Sequence, residues 1–239
     1  ASSHYDLEPR DPVRRLLIAA EPRAGGSLLA EALRNTGQAG VPFEYLNGRL
    51  IEAFGPRLGI EGRPPVMTVV DFLLRHRTTP NGVFCMKVLP DQVIDIARAG
   101  AGGMRHLESY ERVVVLHRRD KIAQAVSFFR ATATDEWNSH DRRSDGSDDR
   151  KLTFDPVAIT RILTSLFRDE RRLAQLADWA RRRGMPVSIV EYETLDGDFA
   201  GVWARLLAFL ELAPVPASEV GTTLERQRDD VSEELVRRY

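Results

Sequence analysis

Cysteine is almost missing from this chain: Cys85 is the only one in 239 residues. One thiol forms no disulfide within a chain and no multi-cysteine metal site. Lysine is nearly as scarce. Lys87, Lys121 and Lys151 are the only three, so the basic residues are mostly arginines, whose planar guanidinium grips phosphate or sulfate with two parallel hydrogen bonds. Net charge is −1 at pH 7, which excludes a global field that draws in nucleic acid or an anionic membrane. No apolar run is long enough to span a bilayer. The opening stretch ASSHYDLEPRDP has no signal-peptide core, and a cytoplasmic location is expected. His76, His106 and His140 lack the spacing of a metal site or a nucleophilic triad. The metal expectation is none.

What is present alternates strand and helix signals. RLLIAA (15–20), GVFCMKV (82–88), RVVVLH (112–117) and PVSIVEYETL (186–195) read as strands, the first short and apolar enough to be a buried parallel strand. SLLAEALRN (27–35), with Ser27 as its N-cap and Gly37 as terminator, reads as a helix. So do DKIAQAVSFFRATA (120–133), capped by Asp120, a long amphipathic stretch over 156–184, and 200–212. This order predicts an α/β fold with a mostly parallel central sheet flanked by helices. Residues 1–14 are expected to be a flexible arm and 15–239 a single domain. The polar segment 138–151 is expected to be a mobile loop.

Two loops carry the chemistry. In an open α/β sheet, ligands bind beyond the carboxyl ends of the strands. Residues 21–28 lie there, after the first strand. Arg23, Ala24, Gly25, Gly26, Ser27 and Leu28 present a guanidinium, two glycines that let backbone approach an anion, and the N–H groups of a helix start. The Gly-Lys-Ser/Thr of a nucleoside triphosphatase is absent. The second loop follows the RVVVLH strand, with Arg118, Arg119 and, two helical turns on, Ser127. Together they suit a ligand with two separated anionic groups. Each loop alone also fits a tight turn or a solvated arginine pair.

At these residues the sequence resembles the sulfotransferases that use 3′-phosphoadenosine-5′-phosphosulfate (PAPS). Arg-x-Gly-x-Ser-Leu-Leu resembles their 5′-phosphosulfate loop, and HRRDKIAQAVSFFRA their 3′-phosphate element. TGQAGVPFEYLN (36–47), TPNGVFCMKV (79–88) and LERQRDDVSEELVRRY (224–239) resemble the bacterial branch of the family that includes trehalose 2-sulfotransferases. The resemblance implies a P-loop-like fold and a PAPS co-substrate leaving as adenosine 3′,5′-bisphosphate (PAP). It also implies a small-molecule hydroxyl acceptor and a homodimer. Residue by residue, it implies Glu44 as general base and Arg23 at the phosphosulfate. Lys87 falls at the sulfuryl oxygens or the acceptor, Arg118 or Arg119 with Ser127 at the 3′-phosphate, Tyr192 near the adenine, and Arg226 and Gln227 in a closing C-terminal motif. His117 reads as a neighbour of the phosphate element.

Two departures stand out. Gly26 replaces a hydroxyl residue common in the loop. Val41 and Phe43 stand where trehalose-type members carry acidic and amide residues, so a less polar acceptor is expected, bordered also by Trp137. The competing readings are an ATP-dependent small-molecule kinase with a degenerate P-loop and a non-catalytic nucleotide-binding module.

Overall fold

The computed structural model describes residues 2–137, 153–222 and 230–239. The expected mobile loop at 138–151, and Arg226 and Gln227, lie outside them. Among the described residues, no helix is long and apolar enough to cross a membrane.

Four strands, β1 (Arg14–Ala20), β2 (Val83–Val88), β3 (Arg112–His117) and β4 (Val187–Glu191), form one sheet in the order β2-β1-β3-β4. All three pairings are parallel. The β1 run shows why it must be central. Leu17 and Ala19 enter one core while Leu16, Ile18 and Ala20 enter the other, all at 1 % exposure or less. A strand apolar on both faces is stable only with a layer of helices on each side.

The helices are α1 (Gly26–Asn35), α2 (Gly48–Ala53), α3 (Gly55–Leu58), α4 (Val66–His76), α5 (Pro90–Arg98), α6 (Gly100–Glu108), α7 (Lys121–Thr134), α8 (Pro156–Arg182), α9 (Tyr192–Gly197), α10 (Phe199–Leu210) and α11 (Asp230–Arg238). Helices α1 and α10 cover one face through Leu29, Leu33, Trp203 and Leu207. Helices α2, α4, α5 and α6 and the second half of α8 cover the other. A third cluster joins α7 (Ala125, Phe129), the first half of α8 (Ile159, Leu166) and α11 (Leu235).

The sequence expectations need three corrections. Ser27 is not an N-cap: α1 starts at Gly26, and the cap is Gly25 in the left-handed conformation, φ 82°. The strand expected over 186–195 stops at Glu191, because its ladder partner β3 ends at His117, opposite Glu191. Tyr192 then begins a helix. The arm expected to be loose is docked. Leu7 and Arg10 donate backbone hydrogen bonds to His76 and Arg75, and Asp6 pairs with Arg57 and Arg77. Arg77 is 1 % exposed, and a buried guanidinium needs that countercharge.

Asp120 does cap α7, its Oδ1 accepting from Ala123 N at 2.9 Å. The chain leaves β1 towards β2 and leaves β3 towards β4, so the two connections diverge and open a crevice between the carboxyl ends of β1 and β3. Both candidate anion loops meet there.

Candidate active site

The first loop is folded tightly for reasons its residues supply. Arg23 and Gly25 both have positive φ, 63° and 82°. A Cβ on Gly25 would come 3.1 Å from the Tyr192 ring. One on Gly26 would come 2.9 Å from both Ala20 Cβ and Lys87 Cε. A side chain at Gly26 would have to displace these neighbours. The backbone lies directly against Tyr192 on one side and the Lys87 stem on the other.

Arg23 reaches across to α7, where its Nε donates to Ser127 Oγ at 3.0 Å. Its Nη1 donates to the carbonyl of Trp137. Burial and the neighbouring Arg118 push the Arg23 pKa down to about 10, with the Tyr192 phenol acting the other way and Arg130 adding to the fall. It stays charged at neutral pH, at an electrostatic cost that a bound anion relieves.

The structure separates the two arginines that sequence left equivalent. Arg118 is 9 % exposed, its Nη1 donates to the Arg23 carbonyl at 3.4 Å, and its guanidinium carbon lies 4.6 Å from the centre of the Tyr192 ring, a cation–π stack. Its buried Nε makes no hydrogen bond among the described residues; Glu193 Oε1 is 4.0 Å away. Arg119 points out, 70 % exposed at its side chain, and pairs with Glu191 at 3.2 Å. Glu193 shapes the turn by accepting from Arg119 N and Asp120 N at 3.1 and 3.0 Å. Burial alone would raise its pKa, but these backbone donors bring it below the usual carboxylate value.

Sequence reading missed Arg130. It stands three residues after Ser127 on α7, hence on the same helix face; that spacing was the available signal. Its Nη1 donates to Ser232 of α11. Arg23, Ser127, Arg130, Thr134 and Ser232 line one narrow crevice.

Glu44 is joined to the first loop by Lys87. Lys87 Nζ donates to Glu44 Oε2 at 2.7 Å and to Ser27 Oγ at 3.4 Å. Glu44 Oε1 accepts from Gln92 Nε2 at 3.3 Å and Asn47 Nδ2 at 3.4 Å. Gln92 is aimed by its own Oε1, which accepts from Leu89 N at 3.1 Å. Neither amide was marked by sequence: Gln92 acts through Glu44, 48 positions away, and Asn47 through a local turn. Lys87 is 7 % exposed. The arrangement sets a carboxylate, a group able to accept a proton, beside a lysine and the start of a helix.

The sequence pattern of the Stf0 sulphotransferase family matches residues 15–239. The chain belongs to the Stf0 sulphotransferase family. It is an enzyme that transfers a sulfuryl group. Trehalose 2-sulfotransferase of Mycobacterium tuberculosis is 30 % identical over 267 residues, covering 95 % of this chain and 94 % of that one. The Mycolicibacterium smegmatis protein of the same name is 29 % identical over 262 residues, covering 93 % of each. Among solved structures, the sulfotransferase domain of the curacin biosynthetic pathway aligns with a TM-score of 0.55 at 14 % identity, over 88 % of this chain and 77 % of that one. The sulfotransferase domain of the Synechococcus olefin synthase aligns at 0.52 and 15 %, over 96 % and 89 %. These two share the fold.

In this Stf0 sulphotransferase the residues expected at the acceptor divide. Phe43 is 44 % exposed and Trp137 38 %. Trp137 packs edge-on against Phe128 with ring centroids 5.5 Å apart and its indole N–H donates to Asp135 at 3.0 Å. Arg49 pairs with Asp135 at 3.4 Å, so the segment after Glu44 and the segment after α7 meet. Val41 does not line an open surface. It is 8 % exposed, and its backbone is tied to Arg77 and Tyr45.

Proposed function

We propose that this enzyme takes the sulfuryl group from PAPS and transfers it to a hydroxyl of a carbohydrate, glycolipid or glycosylated metabolite. One observation carries the reading: Lys87 ties the Glu44 carboxylate to Ser27 in the anion loop, so a base and a charge-gathering loop share one bridge.

The residues suit a bisphosphorylated nucleotide. Three arginines, Arg23, Arg118 and Arg130, converge from two loops and α7, and the buried Nε of Arg118 has no hydrogen-bond partner among the described residues. Arg23 and the N–H groups of α1 serve the 5′ end, with Arg118 and Ser127 at the 3′-phosphate. Tyr192 lies against Gly25, where it borders the nucleotide. The donor supplies an activated sulfuryl group when bound. Glu44 takes the proton of the acceptor hydroxyl as its oxygen forms a bond to sulfur. Arg23 and Lys87 meet the charge that grows on the departing phosphate. Phe43 and Trp137 face the acceptor. A carbohydrate acceptor is supported by the trehalose 2-sulfotransferases at about 30 % identity, and the exposed Phe43 and Trp137 favour one with an apolar face. A homodimer is the proposed working unit; a monomer mass by light scattering would refute it.

The test is Glu44→Gln, assayed for turnover of PAPS with a panel of glycosides and for PAP affinity. Transfer should fall by about 10²–10⁴-fold, the usual worth of a general base, while PAP binding is retained. An active Glu44→Gln enzyme would remove the base from this account.

A further inference from the structure

Glu21 is the first residue past β1 and is 1 % exposed. It stands two residues before Arg23, so its carboxylate places a negative charge next to a site built for anions. Lys121 Nζ donates to Oε1 and Oε2 at 2.7 Å each. Gln124 Nε2 donates to Oε2 at 3.0 Å and also to the Pro22 carbonyl at 2.8 Å. The backbone N–H of Arg118 donates to Oε2 at 3.1 Å. The Glu21 N–H itself donates to the Leu116 carbonyl at 3.0 Å, adding a rung beyond the β1–β3 ladder.

These bonds join pieces that sequence keeps far apart. One carboxylate from the first loop is held by the turn that carries Arg118 and by the helix that carries Ser127. Gln124 lies one helical turn before Ser127, on the same face. Lys121 has a side chain only 8 % exposed, with Glu170 Oε2 at 3.7 Å on its other side. Its charge is spent between two carboxylates rather than offered to a ligand. A lone buried carboxylate here would be costly and would oppose anion binding, so the lysine is required to neutralise it.

We propose that Glu21 is the positioning residue of the donor site. With Lys121 and Gln124 it locks the Arg23 loop in register with Arg118 and Ser127, without touching the donor. This inference rests on the donor reading above.

The test is the affinity for PAP, by calorimetry, of the wild-type chain, Glu21→Gln and Gln124→Met, with donor KM and kcat measured alongside. Glu21→Gln removes a negative charge beside an anion site. Simple electrostatics then makes PAP bind tighter. Loss of positioning makes it bind weaker, by at least about tenfold, the scale of a lost charged hydrogen bond. The donor KM should rise in parallel while kcat at saturating donor changes far less. Gln124→Met keeps volume and the ion pair but loses both amide bonds; it should weaken PAP by about threefold or more and decides the matter if Glu21→Gln fails to fold. Folded variants that bind PAP as tightly as wild type, or tighter, overturn the proposal. Failure of the wild-type chain to bind PAP would instead overturn the donor reading beneath it.

Discussion

Lys87 stands 2.7 Å from Glu44 and 3.4 Å from Ser27, so one ammonium links the proposed base to the proposed donor loop. Lys87→Met keeps the stem that packs against Gly26 and removes only the charge. Sulfuryl transfer should drop by about 10²–10³-fold, the range seen when a single stabilising donor is removed, with the fold intact by circular dichroism. A loss below about threefold would show that Lys87 is a packing residue.

Arg23 is strained twice over, by a left-handed backbone and by burial beside Arg118. Strain of this kind persists at sites where it serves function, at about 1–3 kcal/mol per residue. Arg23→Gly relieves both. The ligand-free protein should melt no lower than wild type, while PAP affinity falls by at least about tenfold. A lower melting temperature with unchanged PAP affinity would make Arg23 a structural residue.

Arg118 and Arg119 should behave very differently despite being neighbours. Arg118 is inward, stacked on Tyr192, and Arg119 is outward, paired with Glu191. Arg118→Ala should weaken PAP by about tenfold or more. Arg119→Ala should change it little, since exposed pairs contribute about 0–1 kcal/mol. Equal effects in a titration of both variants would contradict the assignment.

His106 sets a pH dependence away from the site. Burial, reinforced by Arg15, lowers its pKa from 6.5 to about 4, and its Nε2 bonds the Tyr110 hydroxyl at 2.9 Å. The folded state therefore keeps it neutral while the unfolded chain takes up a proton below pH 6.5. Between these values the unfolded state binds more protons, so stability is full above 6.5 and falls as pH drops towards 4. At pH 5 the loss should be about 2 kcal/mol relative to pH 7 by urea unfolding. His106→Asn should flatten that part of the curve; an unchanged slope would place the effect elsewhere.

Much of this was legible in the chain. The apolar runs at 15–20 and 112–117 read as strands, and the loop after each pointed to Arg23, Arg118 and Ser127, which the structure brings into contact. What was hidden depends on distance or on shape. Glu21 and Lys121 are 100 residues apart, and nothing local marks either. The choice between Arg118 and Arg119 rests on which way a turn rotates, and Glu193 fixes that through two backbone donors. Ser27 looked like a cap because serine favours that place, but the cap falls on Gly25, whose left-handed backbone a glycine adopts without strain. Val41 read as a pocket residue from its place in the family resemblance, yet it is 8 % exposed, in a segment tied to Arg77 and Tyr45.

The most direct test of the central claim is thermal unfolding with PAP, AMP and ATP·Mg²⁺ in parallel. At a hundredfold excess over Kd, a ligand of the native state adds about 2.7 kcal/mol, a clear rise in melting temperature. PAP should give that rise and AMP at the same concentration a smaller one, because AMP lacks the 3′-phosphate proposed to be held by Arg118 and Ser127; no part of the rise should depend on Mg²⁺. No rise with PAP, or a larger one with ATP·Mg²⁺, would contradict it.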